Sequence, residues 1–358
     1  MRVQKSNLKF LKEYVSASDT STPLGDKLKI QVKDGEVIYA QQSKDAFLIT
    51  RVSSDTKENF ELLVQTKMFW DFLNTTNEED ELIITEKGID LGEDKHYTFD
   101  SFDLSFPDVN SLYEKVNKAS SDPSTFSFEF KDFDKLNVVQ KFIGKDSTEA
   151  VGFMKDKLLG SDRVQIAYSK ADMNLPQNYF FGKPAINLIL SQKPKGVVKV
   201  NLTENFYYFT LDNTLCIFEW KTFTIPDLFS AAAFSKFNQL DKVVVNKKDL
   251  NSVLTRMGFF VYDNPSNRIF ITVKEDHILI ENRDFNKSYE KVYLVERNNE
   301  LDGVTIILNN KNLLSFISNF DDDLISLYIN KEDSSRATLR LEDSKGIFSF
   351  VHVLLKAD

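Results

Sequence analysis

The sequence predicts an α+β protein made of three similar domains, each built from two repeats of one helix followed by strands. Short apolar runs with a two-residue period, separated by turn residues, predict many strands along the 358 residues. Six segments with apolar residues at helical spacing interrupt these strands, and about three to four strands lie between one such segment and the next. Two repeats give a domain of about 110–125 residues, which is an ordinary domain size.

Each predicted helix spans two to three turns and has one apolar face. The fourth is predicted to begin with Pro184 in its first turn, and the fifth to stop at Gly258. The six helices are predicted over Asn7–Ser18, Thr66–Asn74, Asp132–Gly144, Pro184–Gln192, Lys247–Gly258 and Asn310–Phe320. Such a repeat places the helices on one face of a sheet, and three equivalent domains placed end to end with curvature would form a ring lined by helices and covered by strands.

The predicted strands are rich in Val, Ile and Phe. They cover Glu36–Gln41, Phe47–Val52, Glu81–Thr85, Phe126–Phe130, Arg163–Tyr168, Val197–Leu202, Tyr207–Leu211, Arg268–Val273, Ile278–Glu281, Val304–Leu308, Leu324–Tyr328 and Ile347–Leu355. The three domains are predicted to span 1–122, 123–236 and 237–358. Their boundaries fall in the turn-rich stretch Ala119–Pro123 and the irregular stretch Ala231–Gln239.

The composition is that of a globular protein, with 42% hydrophobic and 28% charged residues. The single cysteine, Cys216, lies in an apolar run and excludes an internal disulfide or a cysteine-based zinc site. The chain starts without an apolar signal segment, so we expect a cytoplasmic protein. The net charge of -9 means that the protein either avoids nucleic acid or concentrates its positive charge on one surface.

Catalytic patterns are lacking in the sequence. The three histidines, His96, His277 and His352, each lie in a predicted strand without a nucleophile elbow or metal-ligand spacing nearby. No glycine-rich phosphate loop occurs, and the acidic run 321–323 is more typical of a solvated turn than of a cation site. We therefore expect no catalytic residue, metal or cofactor. The alternative from another class is an unrelated β-rich hydrolase that uses paired carboxylates.

Basic residues occur on or directly beside every predicted helix. A single lysine on an amphipathic helix is usually an ordinary solvated residue. The set is more informative, because all six helices carry or directly adjoin at least one basic residue although the whole chain is acidic. We predict that these residues face DNA and screen its phosphates without reading bases: Lys9, Lys12, Lys67, Lys135, Lys141, Lys193, Lys247, Lys248, Arg256 and Lys311.

Several stretches carry a resemblance to one family. The last 120 or so residues contain KVVVNKKDLNSVLTRMGFFVYDNPSNRIFITV, then DHILIENRDFNKSYEKVYL, then LNNKNLLSFISNFDDDLISLYINKEDSSRATLRLED. In order and type these elements resemble the third domain of bacterial DNA polymerase III beta sliding clamps. Upstream, SFPDVN and FTIPDLF are similar to the links between domains of that family, and TPLGDKLKI resembles its turn after the first helix.

The resemblance implies a non-catalytic processivity factor. Its implied partners are encircled double-stranded DNA, a second copy of the chain in a homodimeric ring, and a DNA polymerase and clamp loader that bind through short peptide motifs. It also implies a subunit interface with Tyr97, Phe99, Phe259 and Phe260, although all four could equally be core residues. The same fold in another assembly, a trimer or a monomer closed by its loader, is the second hypothesis.

The implied partner-peptide pocket contains Tyr168, Met173, Val351, Val353 and Leu355, although each strand residue among them could equally belong to the core. Two family motifs at this pocket are replaced here. The segment Tyr168–Asp172 stands where the family has Thr-Asp-Gly-His-Arg, and Val353–Asp358 stands where it ends in Met-Pro-Met-Arg-Leu. We therefore expect a reshaped pocket, as in a divergent, phage-encoded member.

Overall fold

The computed structural model describes residues 1–77, 80–91, 95–99, 102, 104–145, 149–162, 165–223, 241–261, 267–283, 287–320, 322–329, 337–343 and 347–353, without the side chains of 337, 338 and 347–353. Two compact units make up the chain. The first contains Met1–Phe133 and Gly182–Lys221, and the second contains Asp134–Phe181 and Thr222–Asp358. Among the described residues, no helix is both long and apolar enough to cross a membrane.

Seven α-helices lie in the described part of the chain: α1 (Leu11–Ala17), α2 (Thr66–Asn74), α3 (Val109–Ser120), α4 (Phe133–Val139), α5 (Lys183–Ser191), α6 (Lys247–Phe260) and α7 (Asn310–Ile317). Short 3-10 turns accompany some of them, including Lys5–Leu8 before α1, Gln140–Phe142 after α4 and Lys193–Lys195 after α5. Three of the helices have an N-cap residue whose side-chain oxygen accepts a hydrogen bond from a backbone N–H of the first turn. Asp108 accepts from the backbone N–H of Asn110 in α3, and Asn246 and Asn309 do the same for α6 and α7.

The described residues form 24 strands. In chain order, β1 to β24, they are Arg2–Gln4, Lys27–Lys33, Glu36–Gln42, Ala46–Ser53, Phe60–Gln65, Glu81–Thr85, Gly88–Leu91, Lys95–Thr98, Phe126–Phe130, Ala150–Phe153, Lys157–Ser161, Gln165–Lys170, Tyr179–Gly182, Val198–Leu202, Phe206–Leu211, Thr214–Glu219, Asp241–Asn246, Arg268–Val273, His277–Asn282, Ser288–Glu296, Thr305–Asn309, Leu324–Ile329, Ala337–Glu342 and Ile347–Val353.

The first unit contains two antiparallel sheets. The smaller has the order β1-β6-β7-β8, and the larger has the order β5-β2-β3-β4-β16-β15-β14-β9. In the larger sheet, β4 pairs with β16 across a long separation in sequence, with Thr50 opposite Thr214 and Ala46 opposite Phe218. This pairing joins strands that the sequence analysis assigns to two different domains.

The second unit contains the strands of one sheet in the order β13-β10-β11-β12-β24-β23-β22-β17-β20-β19-β18-β21. Here β12 pairs with β24, again across a long separation in sequence. A large apolar cluster in this unit includes Val253 and Leu254 of α6, Phe316 of α7 and Leu327 of β22. The apolar faces predicted for the helices and strands are therefore the faces that are buried in this unit.

The predicted α+β class and all six predicted helices are confirmed. One expectation was wrong. Gly258 does not stop the fifth helix, which continues to Phe260, because a helix tolerates a single interior glycine at a cost of about 1 kcal/mol. A seventh helix, α3, was not predicted; it begins directly after Asp108 in the stretch SFPDVN and ends at Ser120, inside the predicted boundary stretch. The other boundary stretch, Ala231–Gln239, lies outside the described residues, and the three-domain division stays a prediction.

Candidate nucleic-acid interface

Three of the predicted helices form one layer in the first unit, where α1 packs against both α2 and α5. Each buries a narrow apolar stripe. In α1 the buried residues are Leu11, Tyr14 and Ala17, and Lys12 lies on the exposed side. A helix with one buried stripe leaves its remaining surface to water, so basic side chains at those positions are available to an anionic ligand.

The second unit repeats this arrangement. Helices α6 and α7 pack against each other, and the ring of Phe142, just after α4, stacks on Phe316 of α7 with centroids 4.4 Å apart. Asn310 of α7 is buried and donates from Nδ2 to the carbonyl oxygen of Leu254 at 3.0 Å. Buried contacts of this kind fix the helices and leave their basic residues on the outside.

The structure places the ten predicted DNA-facing residues on or beside these six helices. Eight of them are exposed, and Lys135 and Lys247 are half-buried. Lys9 lies at the end of the turn before α1, while Lys141 and Lys193 lie in the 3-10 turns after α4 and α5. All six helical segments therefore have at least one exposed basic residue on or beside them, and the contact of these residues with DNA stays a prediction.

Some of these charges already have partners within the protein. Lys67 pairs with Asp71 one turn later, at 2.5 Å from Nζ to Oδ2. Arg256 donates from Nε to Oε1 of Glu290 at 2.8 Å and from Nη2 to Oε2 at 2.5 Å. These hydrogen bonds from Arg256 lower the pKa of the Glu290 carboxyl. Both cations are thus largely compensated, and their attraction for phosphate is weaker than a free charge would give.

Other members of the set have polar partners without charge. Lys141 donates from Nζ to Oδ1 of Asn319 at 2.5 Å, and Lys247 donates to the backbone carbonyl of Phe320. In the described part of the chain, no ion pair within 4.0 Å involves Lys12, Lys248 or Lys311. All three are exposed, so each can meet a phosphate more readily than the paired cations Lys67 and Arg256 can.

A cavity of about 410 Å³ lies at the start of α6 and brings opposite charges together. Lys247, Lys248 and Asn251 line one part of it, and Ser318, Asp322 and Asp323 line the other. Because carboxylates line the same cavity, this corner attracts a phosphate less strongly than its lysines alone suggest.

The predicted interface aromatics occupy two different surfaces. Phe259 and Phe260 lie in the last turn of α6 and are 79% and 46% exposed. Tyr97 of β8 is 40% exposed and packs edge-on against Phe72, with centroids 4.8 Å apart. Phe99 is buried and contacts Phe69 and Phe72 within its own chain. Phe99 therefore packs beneath the exposed Tyr97 surface, and little of its own side chain is accessible to a partner.

Both surfaces border an open strand edge. Strand β8 ends its sheet, all four of its residues are exposed, and no other described strand than β7 pairs with it. In β20, the residues Ser288–Tyr293 pair with β19, whereas β17 pairs only with Leu294 and Glu296. Unpaired backbone groups at an exposed edge can accept a further strand. A cavity of about 530 Å³ lies beside β8 and is lined in part by Phe72 and Tyr97.

The predicted pocket residues lie around the β12–β24 pair. Burial raises the pKa of Tyr168 to about 12, and Met173 is buried just after β12. In the register, Val351 stands opposite Gln165 and Tyr168 opposite Phe348, so Tyr168 and Val351 are positions of opposite faces of the sheet. Val353 closes β24, and Leu355 lies outside the described residues. The structure brings these strands together but separates the pocket positions between two faces.

Sequence reasoning missed some exposed residues at these surfaces. Lys183 begins α5 and is exposed, and its place directly before Pro184 could have indicated a first-turn position. Tyr289 and Tyr293 of β20 are 70% and 65% exposed on the side of the strand that faces away from α6. Their two-residue alternation with buried Val292 was the available signal.

Comparisons with known proteins find a likeness in structure only. No protein-family model matches the chain, and no curated protein matches its sequence. Among solved structures, the DNA polymerase III beta subunit of Thermotoga maritima superposes with a TM-score of 0.80 at 14% identity over 99% of each chain. The beta subunit of Pseudomonas aeruginosa gives 0.78 at 15% identity, over 99% of this chain and 100% of the other. The sliding clamp of Bartonella birtlesii bound to griselimycin gives 0.77 at 15% identity over 99% of each chain. The chain therefore has the fold of bacterial beta sliding clamps.

Proposed function

We propose that this chain is a sliding clamp, a non-catalytic ring subunit that encloses duplex DNA and holds the replicative DNA polymerase and other replication proteins on it. The observation that carries the proposal is the clamp fold over 99% of the chain, combined with exposed basic residues on or beside all six predicted helices. Because the clamp fold covers almost the whole chain, we favour this function over the alternative of an unrelated β-rich hydrolase.

The proposed DNA contact is electrostatic and independent of base sequence. A chain with net charge -9 repels DNA unless its positive charges are collected on one surface. Contacts to phosphates position a protein on DNA without carrying sequence information. Exposed lysines on short helices, with water between ammonium and phosphate, would screen the duplex while leaving it free to move.

A second copy of the chain would close the ring. The open edges of β8 and β20 are complementary, since each offers unpaired backbone groups to another strand. Phe259 of one copy would enter the cavity beside Phe72 and Tyr97 of the other, which would remove its 79% exposed ring from water. Head-to-tail contacts of this type form a closed assembly when the rotation between copies closes.

Polymerase and clamp loader would bind through short peptide motifs at the surface around β12 and β24. Tethering raises the local concentration of the polymerase, which rebinds its template before it diffuses away. Tyr168 and Met173 would contribute to this pocket, with a shape changed by the replaced family motifs. We place this activity in the cytoplasm of a bacterium or of a phage-infected host.

Sedimentation tests the assembly, with Phe259→Asp as the test variant and Leu324→Asp as the control, since Leu324 is 45% exposed outside the proposed interface. We expect the wild type and the control at twice the 41.2 kDa of one chain, and Phe259→Asp as a monomer. A trimer, or a wild-type monomer, would contradict the homodimer and favour the other assemblies.

Electron microscopy of the purified protein with a short duplex tests the function. The proposal predicts an annulus with the duplex passing through its centre. A compact particle without a central hole, or an annulus that binds DNA only on its outside, would overturn it.

A further inference from the structure

Helix α3 lies on the opposite face of its sheet from α1. In β3, Tyr39 faces α1, because its ring packs edge-on against Phe10 with centroids 5.0 Å apart. Side chains alternate along a strand, so Ile38 and Ala40 face the other way. Both are buried there in an apolar cluster with Val109 and Val116 of α3. Helix α3 is therefore an exception to the expectation that all helices lie on one face of the sheet.

The cluster under α3 extends across the pairing of β4 with β16. Ile49 of β4 stands opposite Leu215 of β16, and Phe47 stands opposite Ile217. Ile49, Leu215 and Ile217 are all buried in the cluster that α3 covers. We call the β4–β16 pairing the seam. A helix that buries side chains from both strands must lose contacts whenever the seam opens.

Polar contacts fasten the two ends of α3 to different sides of the seam. Near its start, Asn110 accepts from Nη2 of Arg51 in β4 at 2.8 Å. The Arg51 guanidinium also lies 3.9 Å from the ring centroid of Tyr113. At its end, Ser120 Oγ and the Tyr208 hydroxyl of β15 are 2.8 Å apart. One end therefore binds the strands before the seam, and the other end binds the strands after it.

We propose that α3 is an external clip that holds the strands β5-β2-β3-β4 to the strands β16-β15-β14-β9 and stiffens the seam between them. A packed interface has discrete arrangements and resists gradual bending. On the proposed function as a sliding clamp, this clip would keep the first interdomain joint closed while the ring opens elsewhere.

Hydrogen exchange of the free protein tests the clip. Val116→Asp places a carboxylate in the cluster, and Ser120→Ala removes only the hydroxyl that meets Tyr208. Asn117→Asp is the control, because Asn117 is exposed on the same helix. We expect Val116→Asp to speed exchange in β4 and β16 on the order of tenfold or more, Ser120→Ala to speed it less, and Asn117→Asp to leave it unchanged.

Strand pairs of the same sheet outside the cluster serve as the internal reference. The pairs β2–β5 and β14–β9 should keep their wild-type exchange in all three variants, since a clip acts on the seam. Unchanged exchange at the seam in Val116→Asp and Ser120→Ala would overturn the proposal, and so would an equal increase in all strand pairs. The measurement needs no DNA, so its failure is distinct from a failure of the proposed clamp function.

Discussion

The hydroxyl oxygens of Thr50 in β4 and Thr214 in β16 lie 2.7 Å apart in a buried hydrogen bond, although 164 residues separate them in sequence. The Tyr14 hydroxyl lies 3.0 Å from Thr50 Oγ1 and donates to the carbonyl of Tyr39 at 2.9 Å. Since this donation uses the Tyr14 proton, Thr50 donates to Tyr14 and Thr214 donates to Thr50. The chain of bonds ties α1 to the seam on the face opposite α3.

Substitution of either threonine by the isosteric valine should destabilise the protein. Thr50→Val leaves the fully buried Thr214 hydroxyl without its acceptor, at a cost of about 1–3 kcal/mol. Thr214→Val removes one donor from Thr50, which keeps its bond to Tyr14, so we expect a smaller loss of about 0.5–1.5 kcal/mol. The double variant leaves no unmatched partner between them and should cost less than the sum. Urea unfolding of the four proteins measures this coupling, and strictly additive losses would contradict the hydrogen-bond chain.

The cap of α6 should be measurable in the same way. Asn246 Oδ1 accepts from the backbone N–H of Lys248 at 2.9 Å and of Asp249 at 3.3 Å. Asn246→Ala should therefore lower the free energy of unfolding by about 0.5–2 kcal/mol. Asn246→Asp, which keeps an acceptor and adds a charge suited to a helix start, should recover the loss. An equal loss in both variants would show that the cap does not stabilise α6.

The ion pair between Arg256 and Glu290 predicts a pH dependence of stability. The pKa of Glu290 is lowered by its hydrogen bonds from Arg256. A lowered pKa in the folded state means that the pair stabilises the protein above the ordinary glutamate pKa of about 4.3 and loses this effect as the pH falls through the lowered value. Glu290→Gln should thus have a lower urea midpoint than the wild type at neutral pH.

The two midpoints should converge in acid, where the wild-type carboxyl is also neutral. Arg283→Gln serves as the control, because Arg283 pairs with Glu281 on a neighbouring strand and leaves Glu290 unchanged. A difference between wild type and Glu290→Gln that stays constant from neutral to acid pH would contradict the assigned ion pair.

The three lysines for which the described part of the chain shows no ion pair should govern the salt dependence of DNA binding. Replacement of Lys12, Lys248 and Lys311 by Gln should reduce the slope of log affinity against log salt by up to about one unit per lysine. The control replaces the exposed Lys33, Lys57 and Lys274, which lie outside the six helices. Fluorescence anisotropy with a labelled duplex gives both slopes. Equal slopes for the two triple variants would contradict the assignment of these helices to the DNA-facing surface.

Local periodicity was sufficient to predict the helices that carry the basic residues. Each has an apolar stripe that the structure buries, such as Leu250, Val253, Leu254 and Met257 in α6. The same signal exists in α3, where Val109, Leu112, Tyr113 and Val116 follow helical spacing. It was overlooked because the preceding Phe-Pro-Asp was interpreted as a domain link, although Asp108 is the N-cap of α3.

Contacts between segments that lie far apart in the chain could not be predicted from local sequence patterns. Gly258 was expected to stop a helix, but α6 continues past it to Phe260, because a single glycine inside a helix costs only about 1 kcal/mol and the packing of α6 outweighs it. The pairing of β4 with β16 depends on matching edges far apart in the chain, which no local period encodes. The positions of Tyr168 and Val351 on opposite faces of the sheet could not be predicted either, because they depend on the register between two strands that are distant in sequence.

A ring that encloses DNA must be topologically linked to a closed circle. The protein is incubated with nicked circular DNA at a concentration where subunits exchange, and the complex is then gel-filtered in high salt before and after the circle is cut once by a restriction enzyme. We expect the protein to stay with the closed circle and to be lost from the linear product, because a ring slides off a free end. Equal retention on both forms, or none on the circle, would contradict this expectation.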